Sequence, residues 1–317
     1  MLAPDRGAHT LGADFEAHAG PSQAHDAGQC AVAPAEGRRL EACYRVCREI
    51  ARIHSKTFYL SSLFLSPPKR RAVWAVYAFC RTADDIVDRV APPRDRLEAI
   101  AAWERGLLDA YAGRATDPIY VAFANAVRRF GIPIEPALDL LRGARMDVTV
   151  RRYDTYEQLR EYCYFVASTV GLLVLPILGT ITPAATRYGI ALGRAMQMTN
   201  ILRDVGEDAR MDRIYLPAED LRRFGCTEAS IIDGVVDERF RELMRFEIAR
   251  VRLMYAEAEP GIGLLAPESR YTVRLALSLY RGILDRIESN RYDVFTRRAH
   301  VPLRGKAMTA LAVAFAR

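Results

Sequence analysis

The sequence predicts an all-α protein that folds as a single domain. Half of its 317 residues are hydrophobic, which is enough to build a sizeable core. From residue 39 onward these residues recur at the spacing of amphipathic helices, and no alternating pattern of useful length indicates a strand. Short segments with Gly, Pro or Asp separate the apolar runs. We therefore expect one helical domain over residues 39–317.

Proline marks the ends of the first predicted helices. One covers residues 40–66 and a second covers 69–90, and each ends before a Pro-Pro pair because the residue before a proline disfavours the helical conformation. Further helices are expected at 94–112, 117–130, 134–150, 155–179, 184–209, 218–225, 236–258, 267–291 and 303–316. Residues 1–38 are rich in Ala, Gly, His and Asp, and we expect a disordered tail without a signal peptide.

The composition indicates an anionic partner and reduced cysteines. The formal net charge is +6 and the pI is about 9.0, which suits nucleic acid, anionic lipid or a phosphorylated metabolite. The arginines are spread along the chain without a basic tract, which disfavours nucleic acid. The six cysteines show no CxxC pair, so we expect buried thiols and a cytoplasmic location. The longest apolar run, residues 170–181, is too short to span a bilayer.

Two pairs of aspartates carry the main functional signal. Asp84 and Asp88 lie in the segment ADDIVDR, and Asp204 and Asp208 lie in NILRDVGED. On a helix, residues four apart share one face, where two like charges repel each other. The pairs therefore contribute nothing to stability, and we expect two acidic patches that face each other and share divalent cations. Such oxygen ligands suit Mg²⁺, which binds one or two carboxylates together with substrate phosphates.

The helix with the second acid pair combines a polar stripe with an apolar body. Gln197, Asn200, Asp204 and Asp208 follow one another at spacings of 3, 4 and 4, and apolar residues occupy most other directions. Such a helix is buried, so its polar stripe must line an internal cavity that holds metal ions or a polar ligand.

The helix with the first acid pair repeats this arrangement. Tyr77, Arg81, Asp84 and Asp88 follow at spacings of 4, 3 and 4, and Arg81 is suited to bind a phosphate through two hydrogen bonds. The alternative is that both helices present solvated acidic faces, with Arg81 and Arg203 in surface ion pairs.

Three segments together resemble the phytoene synthase/squalene synthase family. They are HSKTFYLSSLFLSPPKRRAVWAVYAFCRTADDIVD (54–88), YCYFVASTVGLLVLPILG (162–179) and QMTNILRDVGEDARMDRIYLP (197–217). The last segment resembles phytoene synthases and bacterial dehydrosqualene synthases more than NADPH-dependent squalene synthases. The resemblance implies an isoprenoid synthase helical bundle with a central apolar cavity, in which two prenyl diphosphates condense head to head.

The resemblance also implies roles for individual residues. Those that match metal ligands are Asp84, Asp88, Asn200, Asp204 and Asp208. Those that match contacts to the prenyl diphosphates are His54, Ser55, Lys56, Thr57, Tyr77, Arg81, Gln197, Arg203, Tyr280 and Arg297. Tyr162 and Gln197 match residues beside the reacting carbons, and with the four aspartates they form the predicted catalytic set.

One position informs the length of the prenyl chain. The resemblance places Phe58 and Ser62 one turn apart along the substrate tunnel, and the small Ser62 leaves room for a C20 chain. We therefore predict that two geranylgeranyl diphosphates give phytoene through a cyclopropylcarbinyl diphosphate. The alternatives are a C30 enzyme that uses farnesyl diphosphate, chain elongation or cyclisation on the same fold, and a scaffold protein without activity.

The implied cofactor is Mg²⁺, with Mn²⁺ as a substitute and without NADPH. Prenyl diphosphates are the expected partners, and nucleic acid is not. We expect a monomer or a weak homo-oligomer in the cytoplasm, and we leave open a peripheral contact with the inner face of the membrane. The apolar stretch 306–315 is expected to pack as a last helix, with contact to a membrane surface as the alternative.

Overall fold

The structure is a computed structural model that describes residues 34–89 and 92–315, and it confirms the all-α prediction. Its α-helices are α1 (Pro34–His54), α2 (Lys56–Ser62), α3 (Pro67–Arg89), α4 (Pro93–Tyr111), α5 (Pro118–Phe130), α6 (Glu135–Thr149), α7 (Tyr156–Cys163), α8 (Thr169–Leu178), α9 (Ala185–Arg210), α10 (Ala218–Arg223), α11 (Glu228–Ile232), α12 (Glu238–Ala258), α13 (Pro267–Ser289) and α14 (Leu303–Phe315). A π-helical segment covers Tyr164–Ser168, and a 3-10 helix covers Glu259–Leu264. The only β-structure among the described residues is two isolated bridges.

The predicted helix 40–66 is in fact two helices, because the chain breaks at Ser55. This residue has extended backbone angles, φ −143° and ψ 90°, and its side chain accepts a hydrogen bond from the backbone N–H of Phe58. The break is therefore an N-cap that starts α2. The first helix also begins at Pro34, inside the predicted tail, and residues 1–33 lie outside the described part of the chain.

The predicted helix 155–179 is continuous but changes its winding in the middle. α7, the π segment and α8 follow one another from Tyr156 to Leu178. Within the described ranges this is the one helix whose length and composition would allow it to cross a membrane. The prediction concerned only the apolar run 170–181, whereas the helix already begins at Tyr156. It nevertheless packs between α6 and α9, and α8 lines the cavity described below.

Glycines allow this helix to approach α9 closely. A Cβ atom on Gly193 would lie 2.7 Å from the carbonyl oxygen of Ala167 in the π segment. A Cβ atom on Gly171 would lie 2.9 Å from the carbonyl oxygen of Gly189. Real side chains do not fit at these distances, so the two helices pack through backbone contacts that only glycine permits.

Two hydrophobic clusters build the bundle and leave a space between them. The first cluster joins α1 and α3 to α6 around fully buried residues such as Phe79 and Phe123. The second joins α9, α12 and α13 around Leu202 and Tyr255. The acid-bearing helices α3 and α9 thus belong to different clusters, and both contribute residues to the wall of the space between them.

We expect Gly193→Ala to destabilise the fold. The added methyl group would overlap the backbone of the π segment, and overpacking of this kind costs about 1–3 kcal/mol. Urea denaturation followed by circular dichroism measures the loss. Gly37→Ala is the control, because nothing lies within 4 Å of a Cβ atom there and alanine is the better helix former. An unchanged unfolding midpoint for Gly193→Ala would contradict the close approach of the two helices.

Candidate active site

A cavity of about 810 Å³ lies between the two hydrophobic clusters. Along both α3 and α9 its wall changes from apolar to polar residues towards the C-terminal end of the helix. The polar wall residues that the sequence predicted are His54, Ser55, Lys56, Thr57, Tyr77, Arg81, Asp84, Gln197, Asn200, Arg203 and Tyr280. The apolar wall includes Val73, Val76, Leu140, Val170, Val174, Leu175, Leu178, Leu192, Ile262 and Leu279. The cavity therefore suits a ligand with an anionic head and a long apolar body.

The first acid pair contains one aspartate with a cationic partner and one with a strongly raised pKa. Burial raises the pKa of Asp84, on the cavity wall, to about 7; Arg81 opposes this shift, and Asp147 and Asp88 add to it. Asp88 forms an ion pair with Arg213, with 3.3 Å between Oδ1 and Nη1. Asp84 is thus a carboxyl group that readily exchanges its proton for another cation near neutral pH.

Arg81 keeps unused hydrogen-bonding capacity at the cavity wall. Its Nη2 donates to Oδ1 of Asp85 at 2.5 Å. Its Nε is buried and has no hydrogen-bond partner among the described residues. A buried N–H group without a partner costs free energy, and an anion bound in the cavity would offset that cost.

Two arginines neutralise Asp204 in the second acid pair. Arg203 donates to this carboxylate through Nε, at 2.8 Å, and through Nη2. Arg298, from the non-helical segment before α14, donates to the same two oxygens at 2.8 and 3.1 Å. Burial would raise the pKa of Asp204, but these hydrogen bonds hold it below its ordinary value. One turn on, burial and the charge of Asp204 raise the pKa of Asp208 to about 7, although Arg213 opposes the shift.

Asp147, on α6, adds a carboxylate that was not part of the predicted site, because facing the cavity and pairing with Arg151 were both open for it. It contributes to the raised pKa values of both Asp84 and Asp208, so it lies near both acid-bearing helices. Its Oδ1 accepts hydrogen bonds from the hydroxyl groups of Tyr162, at 2.8 Å, and Tyr215, at 3.1 Å. Burial raises the pKa of Asp147 to about 6 against the effect of these bonds. The two tyrosines therefore hold this carboxylate between the acid pairs.

The structure does not place Tyr162 on the cavity wall, where its predicted role beside the reacting carbons would put it. It is 3% exposed and belongs to the second hydrophobic cluster. Its ring packs against those of Tyr153 and Tyr215, with centroids 5.4 and 5.3 Å away. Because its hydroxyl group is bound to Asp147, Tyr162 acts on the site through that carboxylate.

The basic residue beside the second acid pair is Arg298, and not the predicted Arg297. Arg297 is exposed and is not part of the cavity wall. His300 and Lys306 were not predicted but line the cavity, and Nζ of Lys306 donates to Oγ1 of Thr57 at 2.9 Å. These residues lie in a non-helical segment and at the start of α14, so no helical spacing could have indicated them.

Both residues that were predicted to set the chain length line the cavity. Ser62 is buried, and its Oγ accepts a hydrogen bond from Nε1 of Trp74 at 2.8 Å and donates to the carbonyl oxygen of Tyr59 at 2.7 Å. Phe58 stacks on Tyr77 with 4.7 Å between ring centroids. Ser62 is therefore a small wall residue that also fixes the position of a tryptophan.

The donor atoms fit a divalent cation that is bound together with an anionic ligand. In the described part of the chain, no three His, Cys, Asp or Glu side chains converge closely enough to hold a metal ion by themselves. Mg²⁺ typically uses one or two protein carboxylates and fills its remaining positions with water and phosphate oxygens. The raised pKa values of Asp84 and Asp208 mark carboxylates that lack a sufficient counter-charge. These residues fit Mg²⁺ held between carboxylates and phosphates.

The same pKa values predict that the ligand-free protein loses stability as the pH rises. Asp84 and Asp208 each have a folded-state pKa of about 7 against an ordinary value of 3.8. Their stabilising contribution is therefore complete in acid and is lost as the pH rises through about 7. We expect ligand-free Asp84→Asn, which cannot ionise, to gain stability over the wild type between acid and neutral pH.

Urea denaturation across this pH interval measures the gain. Asp109→Asn, which alters a half-exposed carboxylate on the surface, is the control and should track the wild type. A wild type that gains stability relative to Asp84→Asn as the pH rises would contradict the raised pKa of Asp84.

Several curated proteins with similar sequences are named phytoene synthase. The profile of the family described as squalene/phytoene synthase matches residues 51–305. The chain is 46% identical over 278 residues to a phytoene synthase from Arthrospira platensis, which covers 84% of this chain and 90% of that protein. It is 46% identical over 275 residues to a 15-cis-phytoene synthase from Synechocystis sp., which covers 83% of this chain and 82% of that protein.

Two enzymes with solved structures share the fold. A dehydrosqualene synthase matches with a TM-score of 0.82 at 34% identity, over 87% of this chain and 97% of that chain. A squalene synthase from Alicyclobacillus acidocaldarius matches with a TM-score of 0.76 at 33% identity, over 83% of this chain and 98% of that chain. Since both sequence and fold match over most of its length, the chain belongs to the squalene/phytoene synthase family.

Proposed function

We propose that this protein is a prenyltransferase that condenses two molecules of geranylgeranyl diphosphate head to head into phytoene. The observation that carries the proposal is a cavity with an apolar body whose polar wall includes Asp84 of α3 and Arg298, the partner of Asp204 on α9. The relatives named phytoene synthase support this reaction among those of the family. The protein then catalyses the first committed step of carotenoid biosynthesis.

Basic side chains at the polar end of the cavity are placed to bind the diphosphates. Burial lowers the pKa of Lys306, and the charge of nearby Lys56 lowers it further. An anion between these two lysines would relieve both effects. Arg81 and Arg203 lie on the same wall, and Arg81 has an unused Nε–H group. Because diphosphate leaves readily only when its charge is neutralised, fixed cationic groups on the cavity wall favour the ionisation.

We propose Mg²⁺ as the cofactor, with Mn²⁺ as a substitute. Its protein ligands would come from the predicted set of Asp84, Asp88, Asn200, Asp204 and Asp208. When bound, the cation supplies charge neutralisation for the departing diphosphate. Arg203 and Arg298, which hold Asp204 in this structure, are close enough to the acid pair to turn towards the phosphates instead.

The proposed reaction contains two ionisations and needs no reductant. In the first, the C1–O bond of one substrate breaks, the allylic cation adds across the C2–C3 double bond of the other, and loss of a proton closes a cyclopropylcarbinyl diphosphate. In the second, this diphosphate leaves, the ring rearranges to join the two C1 carbons, and loss of a second proton completes a conjugated triene. No hydride enters, so NADPH is not required. The released diphosphate is our proposed proton acceptor.

The apolar wall protects the cations in this sequence from water. Between residues 166 and 178, the wall is formed by side chains of the π segment and α8, such as Val170, Val174 and Leu175. A hydrocarbon lining excludes water, which would otherwise capture an allylic or cyclopropylcarbinyl cation as an alcohol. The close packing of this helix on α9 keeps the wall continuous.

A C30 product made from farnesyl diphosphate is the second candidate. It is supported by the structural match to a dehydrosqualene synthase. The small Ser62 on the wall and the higher identity to phytoene synthases favour the C20 substrate. A scaffold protein without activity is disfavoured, since both acid pairs are retained beside the cavity.

We further propose a cytoplasmic monomer or weak homo-oligomer that does not bind nucleic acid. Support for the compartment comes from the five cysteines of the described ranges, Cys43, Cys47, Cys80, Cys163 and Cys226, which are all free and buried. A peripheral contact with a membrane is also proposed, and the exposed apolar side chains Met308, Leu311 and Phe315 support it.

Purified protein supplied with Mg²⁺ and geranylgeranyl diphosphate, without NADPH, should form phytoene. Product analysis by chromatography and mass spectrometry, with C15 and C20 substrates side by side, tests this. Asp84→Ala should lower the rate by at least about a hundredfold, because a carboxylate that binds the leaving group's counter-ion is lost. Asp109→Ala, which changes a surface carboxylate, should retain full activity. Turnover of farnesyl diphosphate alone would refute the chain length, and full activity of Asp84→Ala would refute the role of the acid pair.

Ser62→Leu should shift the substrate preference towards the shorter chain. The larger side chain fills part of the cavity wall, so we expect the ratio of kcat/KM for the C20 over the C15 substrate to fall at least about tenfold. Ser62→Ala is the matched control, because it also loses the hydrogen bond to Trp74 but adds no volume. An equal change of the ratio in both variants would show that the bond to Trp74, and not the space, sets the preference.

A further inference from the structure

We propose that Lys69 forms the floor of the cavity and sets the maximum length of the prenyl chain that the cavity accepts. The inference rests on the proposed function for one point, that the substrates are prenyl diphosphates. Ser62 would then favour a C20 chain over a shorter one, and Lys69 would exclude a longer one. The structural basis is a hydrogen-bonded cluster of side chains where α3, α8 and α13 meet.

The apolar end of the cavity lies at the start of α3, the end of α8 and the start of α13. The wall residues that these helices contribute there are Val73, Leu178 and Thr272. Lys69 precedes Val73 by about one turn, and Ser269 precedes Thr272 by about one turn. Neither of these two polar residues is part of the wall. Both therefore lie just beyond the point at which the cavity ends.

The ammonium group of Lys69 ties the three helices together. Its Nζ donates to the carbonyl oxygen of Leu178 at 2.7 Å, to Oε1 of Glu268 at 2.7 Å and to Oγ of Ser269 at 3.0 Å. The hydroxyl group of Ser269 donates to the same carbonyl oxygen at 2.6 Å. We call these four residues the floor cluster. Because all three N–H groups of the ammonium are in use, the side chain of Lys69 is held in one position.

The floor cluster extends from the interior to the surface. Ser269 is fully buried, the side chain of Lys69 is 15% exposed, and that of Glu268 is 58% exposed. The end of α8 approaches this layer closely at Gly179, which has a φ of 78°. A Cβ atom on Gly179 would lie 3.2 Å from Cβ of Ala266 and 3.6 Å from Nζ of Lys69. Loss of the Lys69 side chain would therefore leave a gap between the end of the cavity and the surface.

The position of Lys69 along α3 fits a C20 chain. Lys69 precedes Asp84, on the polar wall, by fifteen residues, which corresponds to about 22 Å along the helix axis. This distance is close to the length of an extended C20 chain and is too short for a chain with one more isoprene unit. A longer chain would have to displace the ammonium group from its partners, and a hydrocarbon cannot replace those hydrogen bonds.

A purely structural role for Lys69 makes a different prediction. Lysine at the end of a helix often binds a terminal carbonyl group, as Lys69 binds that of Leu178. If that were its whole role, its loss would lower the stability of the protein and lower kcat/KM for every chain length by the same factor. A floor instead changes the ratio of kcat/KM between chain lengths.

Lys69→Ala should allow the protein to use a C25 substrate, geranylfarnesyl diphosphate. The substitution opens the floor, while the hydrogen bond between Ser269 and Leu178 still holds α13 on α8. We expect the ratio of kcat/KM for the C25 over the C20 substrate to rise at least about tenfold. Arg71→Ala is the matched control, because it removes a cation of the same helix that pairs with Glu41 on α1 and does not line the cavity. Its ratio should equal that of the wild type.

An unchanged ratio in folded Lys69→Ala would overturn the proposal, and so would an equal rise in Arg71→Ala. Circular dichroism establishes that each variant is folded. If Lys69→Ala does not fold, the decision passes to a variant that raises the floor instead of opening it.

Thr272→Leu raises the floor. The larger side chain occupies the last turn of the cavity, so the ratio of kcat/KM for the C20 over the C15 substrate should fall at least about fivefold. Thr272→Val is the matched control and should keep the wild-type ratio, because the hydroxyl group of Thr272 has no hydrogen-bond partner among the described residues. A wild-type ratio in Thr272→Leu would show that the C20 chain does not reach this level, and would overturn the proposal.

The binding of substrate analogues separates the floor from the reaction. In thiolodiphosphates a sulfur atom replaces the bridging oxygen, so titration calorimetry with the C20 and C25 analogues measures affinity without turnover. Lys69→Ala should bind the C25 analogue at least about tenfold more tightly than the wild type does. If this difference is found in a protein that forms no phytoene, the floor stands and the proposed reaction fails. If the protein forms phytoene but the variant binds the C25 analogue like the wild type, the reaction stands and the floor fails.

Discussion

The active site depends on the balance between carboxylates in an apolar bundle and arginines that come from distant parts of the chain. α3 and α9 carry four aspartates to the boundary between two hydrophobic clusters, where an uncompensated charge is expensive. Arg213 compensates Asp88, and two arginines compensate Asp204. Burial raises the pKa values of Asp84 and Asp208 to about 7, and the nearby arginines supply too little positive charge to offset this. The protein alone therefore leaves its charge balance incomplete, and the proposed Mg²⁺ would complete it.

This incomplete balance explains how one cavity can serve both parts of the proposed chemistry. If arginines neutralised every carboxylate of the site, it would bind a metal ion only weakly. Without arginines, the site would lack the positive charges that bind the leaving diphosphate. The arginines here bind carboxylates in the ligand-free state, and phosphate oxygens are the other partner that a guanidinium binds well. The proposed reaction requires only that the arginines exchange carboxylates for phosphate oxygens while the total charge of the site stays nearly constant. Preorganised groups of this kind stabilise a transition state without a large rearrangement.

The helical fold and both acid pairs could be predicted because their signals are local. A period near 3.6 residues places Asp84 and Asp88, or Asp204 and Asp208, on one face without knowledge of the rest of the chain. Asp147 and Arg298 could not be found in this way, because each reaches the site from another element through tertiary packing. Tyr162, whose role the resemblance implied, lies near the acid pairs but not on the cavity wall, since a sequence motif does not show which side of a buried helix faces a cavity. The break at Ser55 was missed for a similar reason. A serine within an apolar run fits a continuous helix in the sequence, and only the structure shows that its side chain caps α2.

The two sides of α14 differ in polarity, as do the two ends of the proposed substrate, a polar diphosphate and an apolar prenyl chain. Lys306, on the inner side, reaches Thr57 at the polar end of the cavity, where a diphosphate would sit. Met308 and Leu311, on the outer side, are 71% and 60% exposed. In water, polar residues would be favoured at these positions, because exposed apolar side chains contribute nothing to the stability of the fold. An apolar outer face becomes favourable only where the surroundings are apolar too, which is the condition under which a hydrocarbon product can leave the cavity without crossing water.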